Sequence, residues 1–212
     1  MSPFEIASLG SSSSLTQPIR VQRLLRDRSI LSWKALGVRE RQSLFERALD
    51  SLELAYQPIV ALSRPHSPPF AFEALARNSE PLVSDPQELL GLSVSLGLVG
   101  DLGRVVHSRA AEALRANPDM TLFVNVDVEE LIGPLGDADD ALSEFAHRTV
   151  LEVTERAPIS ELPEVRERSS ALREKGYRFA IDDLGGGYAG LSSLALMNPE
   201  FVKIDQALVR HV

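Results

Sequence analysis

The sequence contains no cysteine among its 212 residues. Disulfide bonds, thiolate metal sites and thiol nucleophiles are therefore excluded, and the absence fits a reducing compartment. Long apolar runs are missing too. No stretch reaches the ~18 apolar residues of a membrane span, and the N-terminus lacks the basic region and apolar core of a signal peptide. We therefore expect a cytoplasmic protein with no membrane span.

The sequence has no excess of basic side chains: it contains 22 Lys and Arg but 30 Asp and Glu, for a net charge of -8. Such a chain is not expected to bind DNA phosphates indiscriminately and is better suited to metal cations. The histidines share no zinc-like spacing and complete no Ser-His-Asp set, so we interpret them as structural or exposed. They are His66, His107, His147 and His211. The glycine triplet at 185–187 is not a dinucleotide fingerprint, and no nucleotide cofactor is predicted.

The first 37 residues differ from the rest of the chain. Residues 1–16 include four consecutive serines and are typical of a flexible tail, whereas residues 17–37 place apolar residues among arginines and predict a basic amphipathic helix. The first 50 residues carry a net charge of +3 and the remainder -11. The helix either docks on its own domain or offers a surface to a partner or a membrane.

From residue 38 onward, helical and strand patterns alternate. After a helix over residues 38–52, short apolar runs rich in β-branched and aromatic residues predict strands at 54–60, 70–76, 121–126, 149–154, 177–181 and 201–204. Helices are predicted between them at 86–96, 100–117, 129–132, 162–175 and 190–196. This alternation indicates an α/β protein with a mainly parallel sheet.

Polar residues stand within or at the ends of these predicted strands, where a parallel barrel builds its active site. They are Glu73, Asn125, Glu152, Glu155, Asp182, Asp183, Lys203 and Asp205. Each has another interpretation when taken alone: a surface charge, a turn residue or a helix-capping loop. Together, converging carboxylates would repel one another without cations. Oxygen ligands of this kind suit Mg²⁺ or Mn²⁺, and their number predicts two ions.

The same residues lie in six ordered motifs: YQPIV at 56–60, FEALAR at 72–77, FVNV at 123–126, LEVTE at 151–155, IDDLGGGYAGLSSL at 181–194 and NPEFVKID at 198–205. In these motifs the chain resembles EAL domains, the bacterial phosphodiesterases of cyclic di-GMP, from about residue 40 to its end. The resemblance implies a modified TIM (β/α)₈ barrel with an antiparallel first strand. Its last two strands are not found before Val212. Three explanations stay open: a fragment of a longer protein, a barrel closed by another chain, or a domain reduced to binding.

The resemblance also implies a role for each motif residue. Glu73, Asn125, Glu152 and Asp182 would be metal ligands, with Asp182 and Asp183 facing the second ion. Lys203 would hold the attacking water and Glu155 would steady the glycine-rich loop after Asp183, so Lys203, Glu155 and Asp183 are the expected catalytic residues. Gln57 and Arg77 would contact the substrate, where a guanidinium can donate two hydrogen bonds to a phosphodiester.

The function implied by the resemblance is two-metal hydrolysis of cyclic di-GMP to linear pGpG by a homodimer. The predicted domains are residues 1–37, a flexible Ser-rich tail and a basic amphipathic helix for which docking on a partner is one of the two alternatives, and residues 38–212, the incomplete barrel domain. Two alternatives remain. One is a non-catalytic receptor or scaffold that binds cyclic di-GMP or a protein partner, and the other is a metal site acting on a different phosphodiester.

Overall fold

The computed structural model describes residues 32–63, 66–133, 135–154, 163–184, 197–205 and 208. The helices in this part of the chain are α1 (Val38–Asp50), α2 (Pro86–Leu96), α3 (Val99–Ala116), α4 (Val128–Ile132) and α5 (Pro163–Glu174), with 3-10 helices at Trp33–Ala35 and Ala141–Arg148. The strands are β1 (Glu53–Ile59), β2 (Ala71–Arg77), β3 (Leu122–Asn125), β4 (Thr149–Thr154), β5 (Arg178–Leu184) and β6 (Phe201–Ile204).

The six strands form one sheet in sequence order. β1 pairs with β2 in antiparallel fashion, and each later strand pairs in parallel with the strand before it. Sequential parallel strands joined by helices are the arrangement found in the wall of a (β/α) barrel. The predicted α/β fold with an antiparallel first strand is therefore confirmed.

Alternation along the strands separates two apolar layers. On one face of the sheet, residues such as Leu122, Val124 and Leu151 join the main core with side chains of α3, α4 and α5. On the other face, Phe123 and Val150 belong to a smaller cluster. The members of that cluster are Ala71, Phe123, Val150 and Ala180, with Ile59 and Phe201 packed against them. Because successive side chains point to opposite faces, the residue two positions after each of these continues the same face.

The helix pair α1–α2 covers a separate core. Leu44, Phe45 and Ala48 from α1 pack with Leu89 and Leu92 from α2. Local signals fix both ends of α2, since Asp85 accepts a hydrogen bond from the Gln87 backbone N–H at 2.8 Å and Gly97 ends the helix in the left-handed conformation at φ 68°. No helix among the described residues has both the length and the apolar character needed to cross a membrane.

The N-terminal helix predicted over residues 17–37 does not reach its predicted end. A helix does not continue to residue 37: Ser32 and Leu36 have extended backbones on either side of the 3-10 helix at Trp33–Ala35. Trp33 is 5% exposed, packs in the core between α1 and α2, and its indole N–H donates to the Glu88 carboxylate. Burial of this large ring anchors the segment to the body of the protein. The remainder of the predicted helix and the helix predicted at 190–196 lie outside the described residues.

Two further elements differ from the sequence predictions. The 3-10 helix Ala141–Arg148 was not predicted, although Asp140 caps it by accepting from the Leu142 N–H at 3.2 Å. β5 was predicted to end at residue 181 but continues to Leu184, with a register shift between Ile181 and Leu184. Such an irregularity lets a strand continue while one residue leaves the regular ladder.

Candidate metal centre

Polar side chains follow the small apolar cluster at a regular spacing of two residues. Glu73 comes two positions after Ala71, Asn125 after Phe123, and Glu152 after Val150. The same spacing relates Asp182 to Ala180 and Lys203 to Phe201. Because the period of a strand is two, these five residues face the same side of the sheet, one step closer to the carboxyl ends of β2 to β6. The strands thus build a polar layer directly above an apolar one.

Lys203 lies at the centre of this layer. Its Nζ is 2.8 Å from Glu152 Oε1, 3.0 Å from Glu73 Oε2 and 3.3 Å from Asp182 Oδ2. The Lys203 side chain keeps 29% exposure, whereas Glu152 is fully buried. One ammonium group therefore serves as the counter-charge for three carboxylates contributed by three different strands.

Burial dominates the electrostatics of Glu152. It raises the pKa of this carboxyl from 4.5 to about 7, because the charged form is poorly solvated there. Lys203 opposes the increase, and the neighbouring charges of Glu73 and Asp182 add to it. Burial tends to lower the pKa of Lys203, but its contacts with Glu152 and Glu73 outweigh burial and hold that pKa above its ordinary value. The centre is thus short of positive charge even with Lys203 in place.

The donor atoms fit a divalent cation. Glu73, Glu152 and Asp182 each offer a carboxylate oxygen, and these atoms lie within 4.8 Å of one another. Mg²⁺ and Mn²⁺ prefer sites in which all the ligand atoms are oxygens. The position of Lys203 Nζ among them shows that a positive charge is accommodated at this point. Three of the four predicted ligands of the first ion are thus brought together.

Asn125, the fourth predicted ligand, ends β3 directly beside this cluster. It pairs in register with Glu152 on β4, and the next residue, Val126, donates its backbone N–H to the Glu152 carbonyl at 2.9 Å. Its side chain is exposed. The backbone places Asn125 on the same face of the sheet as Glu152, beside it in the neighbouring strand.

Asp183 occupies the irregular part of β5. It has a left-handed φ of 57°, which is uncommon outside glycine, and its backbone N–H donates to Asp182 Oδ1 at 2.9 Å. The side chain is exposed, in contrast to the half-buried Asp182. The two adjacent acids therefore differ in exposure, and only Asp182 contributes to the carboxylate cluster around Lys203.

The predicted substrate residues lie on the neighbouring hairpin. Gln57 on β1 pairs directly with Glu73 on β2, so their side chains share one face of the sheet. Arg77 ends β2, exposed and four residues beyond Glu73, and donates to the Ala76 carbonyl at 2.8 Å. Both residues are exposed and lie on the face of the sheet that carries the carboxylate cluster. Glu155 lies outside the described residues.

The position of Lys203 among the three carboxylates was not foreseen from the sequence. The motif implied that Lys203 holds a water, but not that its Nζ contacts three carboxylates. A usable signal was present, because Lys203 follows Phe201 at the same two-residue spacing as the acids follow their apolar neighbours.

The family model of the EAL domain matches residues 40–212. This chain belongs to the EAL domain family. Among curated relatives, the probable cyclic di-GMP phosphodiesterase PdeG of Escherichia coli is 28% identical over 186 residues, covering 81% of this chain and 36% of PdeG. The cyclic di-GMP phosphodiesterase NbdA of Pseudomonas aeruginosa is 29% identical over 175 residues, covering 77% of this chain and 22% of NbdA. The chain thus spans between about a fifth and about a third of the length of these relatives.

Solved EAL structures share the fold. The PaMucR phosphodiesterase in complex with c-di-GMP superimposes with a TM-score of 0.65 at 27% identity, covering 76% of this chain and 72% of that one. The six-stranded sheet described above is therefore part of the TIM-barrel-like fold of EAL domains.

Proposed function

We propose that this chain is the catalytic domain of a phosphodiesterase that hydrolyses cyclic di-GMP to linear pGpG. The carboxylate cluster carries the proposal: Glu73, Glu152 and Asp182 supply converging oxygens from three strands of an EAL domain. Relatives named as cyclic di-GMP phosphodiesterases support the choice of substrate.

Two divalent ions, Mg²⁺ or Mn²⁺, belong to this proposal. Glu73, Asn125, Glu152 and Asp182 would hold one ion, and Asp182 with Asp183 would hold the second. Such ions lower the pKa of water at the site and neutralise the charge that develops on a phosphodiester during hydrolysis.

The chain's own residues then have distinct tasks. Lys203, no longer needed as the counter-charge of the carboxylates, donates a hydrogen bond to the attacking water and keeps it in line with phosphorus. Arg77 pairs with the phosphodiester, since its exposed guanidinium lies on the same face as Glu73. Gln57, directly opposite Glu73, hydrogen-bonds the substrate beside it. Glu155 steadies the glycine-rich loop after Asp183.

The test is turnover of cyclic di-GMP by the complete native protein, with pGpG separated by chromatography. Glu73→Gln keeps the shape of the side chain but removes one carboxylate from the cluster, and we expect turnover to fall at least a hundredfold. Glu46→Gln is the matched control, because it makes the same change on the exposed surface of α1 and should leave turnover unchanged.

Each outcome selects one interpretation. Loss of turnover in Glu73→Gln alone supports the assignment of the metal centre. Equal turnover in Glu73→Gln and the wild type would refute it. Binding of cyclic di-GMP by the wild type, without hydrolysis in the presence of either ion, would favour a receptor instead.

A further inference from the structure

A second polar cluster lies outside the metal centre, on the outer side of the sheet. His107 on α3 is only 5% exposed and stands between two carboxylates from other elements. Its Nδ1 is 3.2 Å from Asp140 Oδ1, and its Nε2 is 3.5 Å from Glu130 Oε1. Histidine burial was anticipated from the sequence as one possibility, but this pairing was not.

The site is built to receive the Glu130 carboxylate. Gly103 precedes His107 by one helical turn, and a Cβ atom at position 103 would overlap that carboxylate. The glycine thus leaves a slot in the surface of α3 into which Glu130 fits. On the other side of the imidazole, Asp140 is fixed by the backbone N–H groups of Gly136 at 2.6 Å and Leu142 at 3.2 Å.

Glu130 connects this cluster to the metal centre. Its second oxygen, Oε2, accepts a hydrogen bond from the Asp127 backbone N–H at 2.8 Å, and Asp127 in turn caps α4 by accepting from the Glu129 N–H at 2.9 Å. This reciprocal arrangement is a capping box, which fixes the angle at which the chain enters a helix. Asn125, the metal ligand at the end of β3, lies only two residues before Asp127.

We propose that Glu130 is a positioning residue for the metal centre: held by His107, it fixes the junction between β3 and α4 and thereby the direction of the Asn125 side chain. The inference rests on the proposed function, in which Asn125 is a metal ligand. Asn125 has an exposed side chain, whereas the three carboxylate ligands are half-buried or buried. Its placement therefore depends more on the backbone that follows it than on packing of its own side chain.

The charge states of His107, Glu130 and Asp140 explain why a neutral glutamine at position 130 keeps the contacts of Glu130. Burial raises the pKa of Glu130, whereas for Asp140 the contacts with His107 and two backbone N–H groups outweigh burial and hold its pKa low. A charged Asp140 accepts a hydrogen bond from His107 Nδ1, 3.2 Å away, and His107 Nε2 then faces the Glu130 carboxyl at 3.5 Å. A glutamine at position 130 can still accept from the Asp127 N–H while its amide donates to Nε2. An alanine can do neither.

The test is Mn²⁺ binding by the complete native protein, measured from the EPR signal of free Mn²⁺ without substrate. Glu130→Ala should weaken Mn²⁺ binding about tenfold, as is typical when a group that orients a ligand is removed. Glu130→Gln should bind as tightly as the wild type. Asp85→Ala is the control, because it also removes a capping hydrogen bond, at the start of α2, from a residue that the metal centre does not include. It should lose stability and keep full Mn²⁺ affinity.

A second variant covers the case in which Glu130→Ala does not fold. Gly103→Ala displaces the Glu130 carboxylate while keeping every charge, and alanine favours the helix. It too should weaken Mn²⁺ binding. Wild-type affinity in a folded Glu130→Ala or in Gly103→Ala would overturn the inference, as would equal losses in Glu130→Ala and Asp85→Ala. Glu73→Gln separates the role of Glu130 from the metal centre itself. If only Glu73→Gln loses Mn²⁺ binding, the metal centre is supported and the role of Glu130 is refuted. If the wild type binds no Mn²⁺, the proposed function is refuted.

Discussion

The substitution Lys203→Met tests how three carboxylates share one positive charge. Methionine keeps the unbranched side chain but removes the ammonium group that lies 2.8 to 3.3 Å from Glu73, Glu152 and Asp182. We expect the metal-free protein to lose stability. The loss should grow above neutral pH, because Glu152 is buried and would then have to keep its proton.

The magnitude follows from the Glu152 carboxyl. Its pKa is about 7 in the fold and 4.5 as the ordinary value. In the wild type, the contribution of Glu152 to the free energy of unfolding falls as the pH rises from about 4.5 to about 7. It falls by up to about 1.4 kcal/mol per pH unit, because the folded protein retains a proton that the unfolded chain has released. Above about pH 7 both states have released it, and the decline ends.

In Lys203→Met the pKa of Glu152 rises further, so the same decline continues to higher pH. The two proteins should therefore separate by about 2 kcal/mol between about pH 7 and about pH 8.5. This adds to a loss of about 2 to 3 kcal/mol already present at neutral pH. This loss is at or below the lower end of what breaking a buried ion pair costs, because the Lys203 side chain is 29% exposed and solvent screens its charge.

Urea unfolding in the presence of EDTA, followed by far-ultraviolet circular dichroism at several pH values, measures the effect. Lys175→Met is the control, since Lys175 pairs with the exposed Asp137 at 3.8 Å and donates to the Gly136 carbonyl, away from the metal centre. Its difference from the wild type should stay constant with pH. A constant difference for Lys203→Met as well would refute the coupling between Lys203 and Glu152.

Two further predictions concern the fold. Gly97→Ala should cost about 1 kcal/mol in urea unfolding, because φ is +68° but nothing lies near the new methyl group, whereas Gly136→Ala should cost about 2 kcal/mol or more, because φ is +74° and the methyl group would press on Leu172. Equal costs would contradict the contact with Leu172. Leu114→Ala on the fully buried face of α3 should cost about 3 kcal/mol by leaving a cavity, and Leu62→Ala, at a side chain that is 94% exposed, should cost almost nothing. A Leu114 loss below about 1 kcal/mol would mean that α3 packs less tightly than described.

Much of the fold was predictable because strand and helix periods differ so clearly in this chain. Five of the six strands lie within one residue of their predicted bounds, since each is a short apolar run ended by a polar or turn residue. β5 was shortened in the prediction because Asp182 and Asp183 look like a strand end. The register shift after Ile181 keeps them inside the strand, and an irregularity of that kind has no periodic signature.

The sequence indicated that Glu73, Glu152, Asp182 and Lys203 belong to one site, but it did not indicate their geometry. Motif order indicated Glu73, Glu152, Asp182 and Lys203, and the structure brings these four together. Sequence spacing could not show that Lys203 Nζ lies among the carboxylates, because that position depends on the register of the five adjacent strands β2 to β6. The cluster of His107, Glu130 and Asp140 was missed for the same reason, since its members come from three separate elements.

The most direct test of the central claim is metal removal and return in one sample of the complete native protein. The protein is stripped with EDTA, exchanged into metal-free buffer and incubated with cyclic di-GMP, and the products are separated before and after Mn²⁺ is added. We predict no hydrolysis without the ion and accumulation of linear pGpG once Mn²⁺ is present. Unchanged cyclic di-GMP after Mn²⁺ or Mg²⁺ is returned, in a protein that remains folded, would contradict the account.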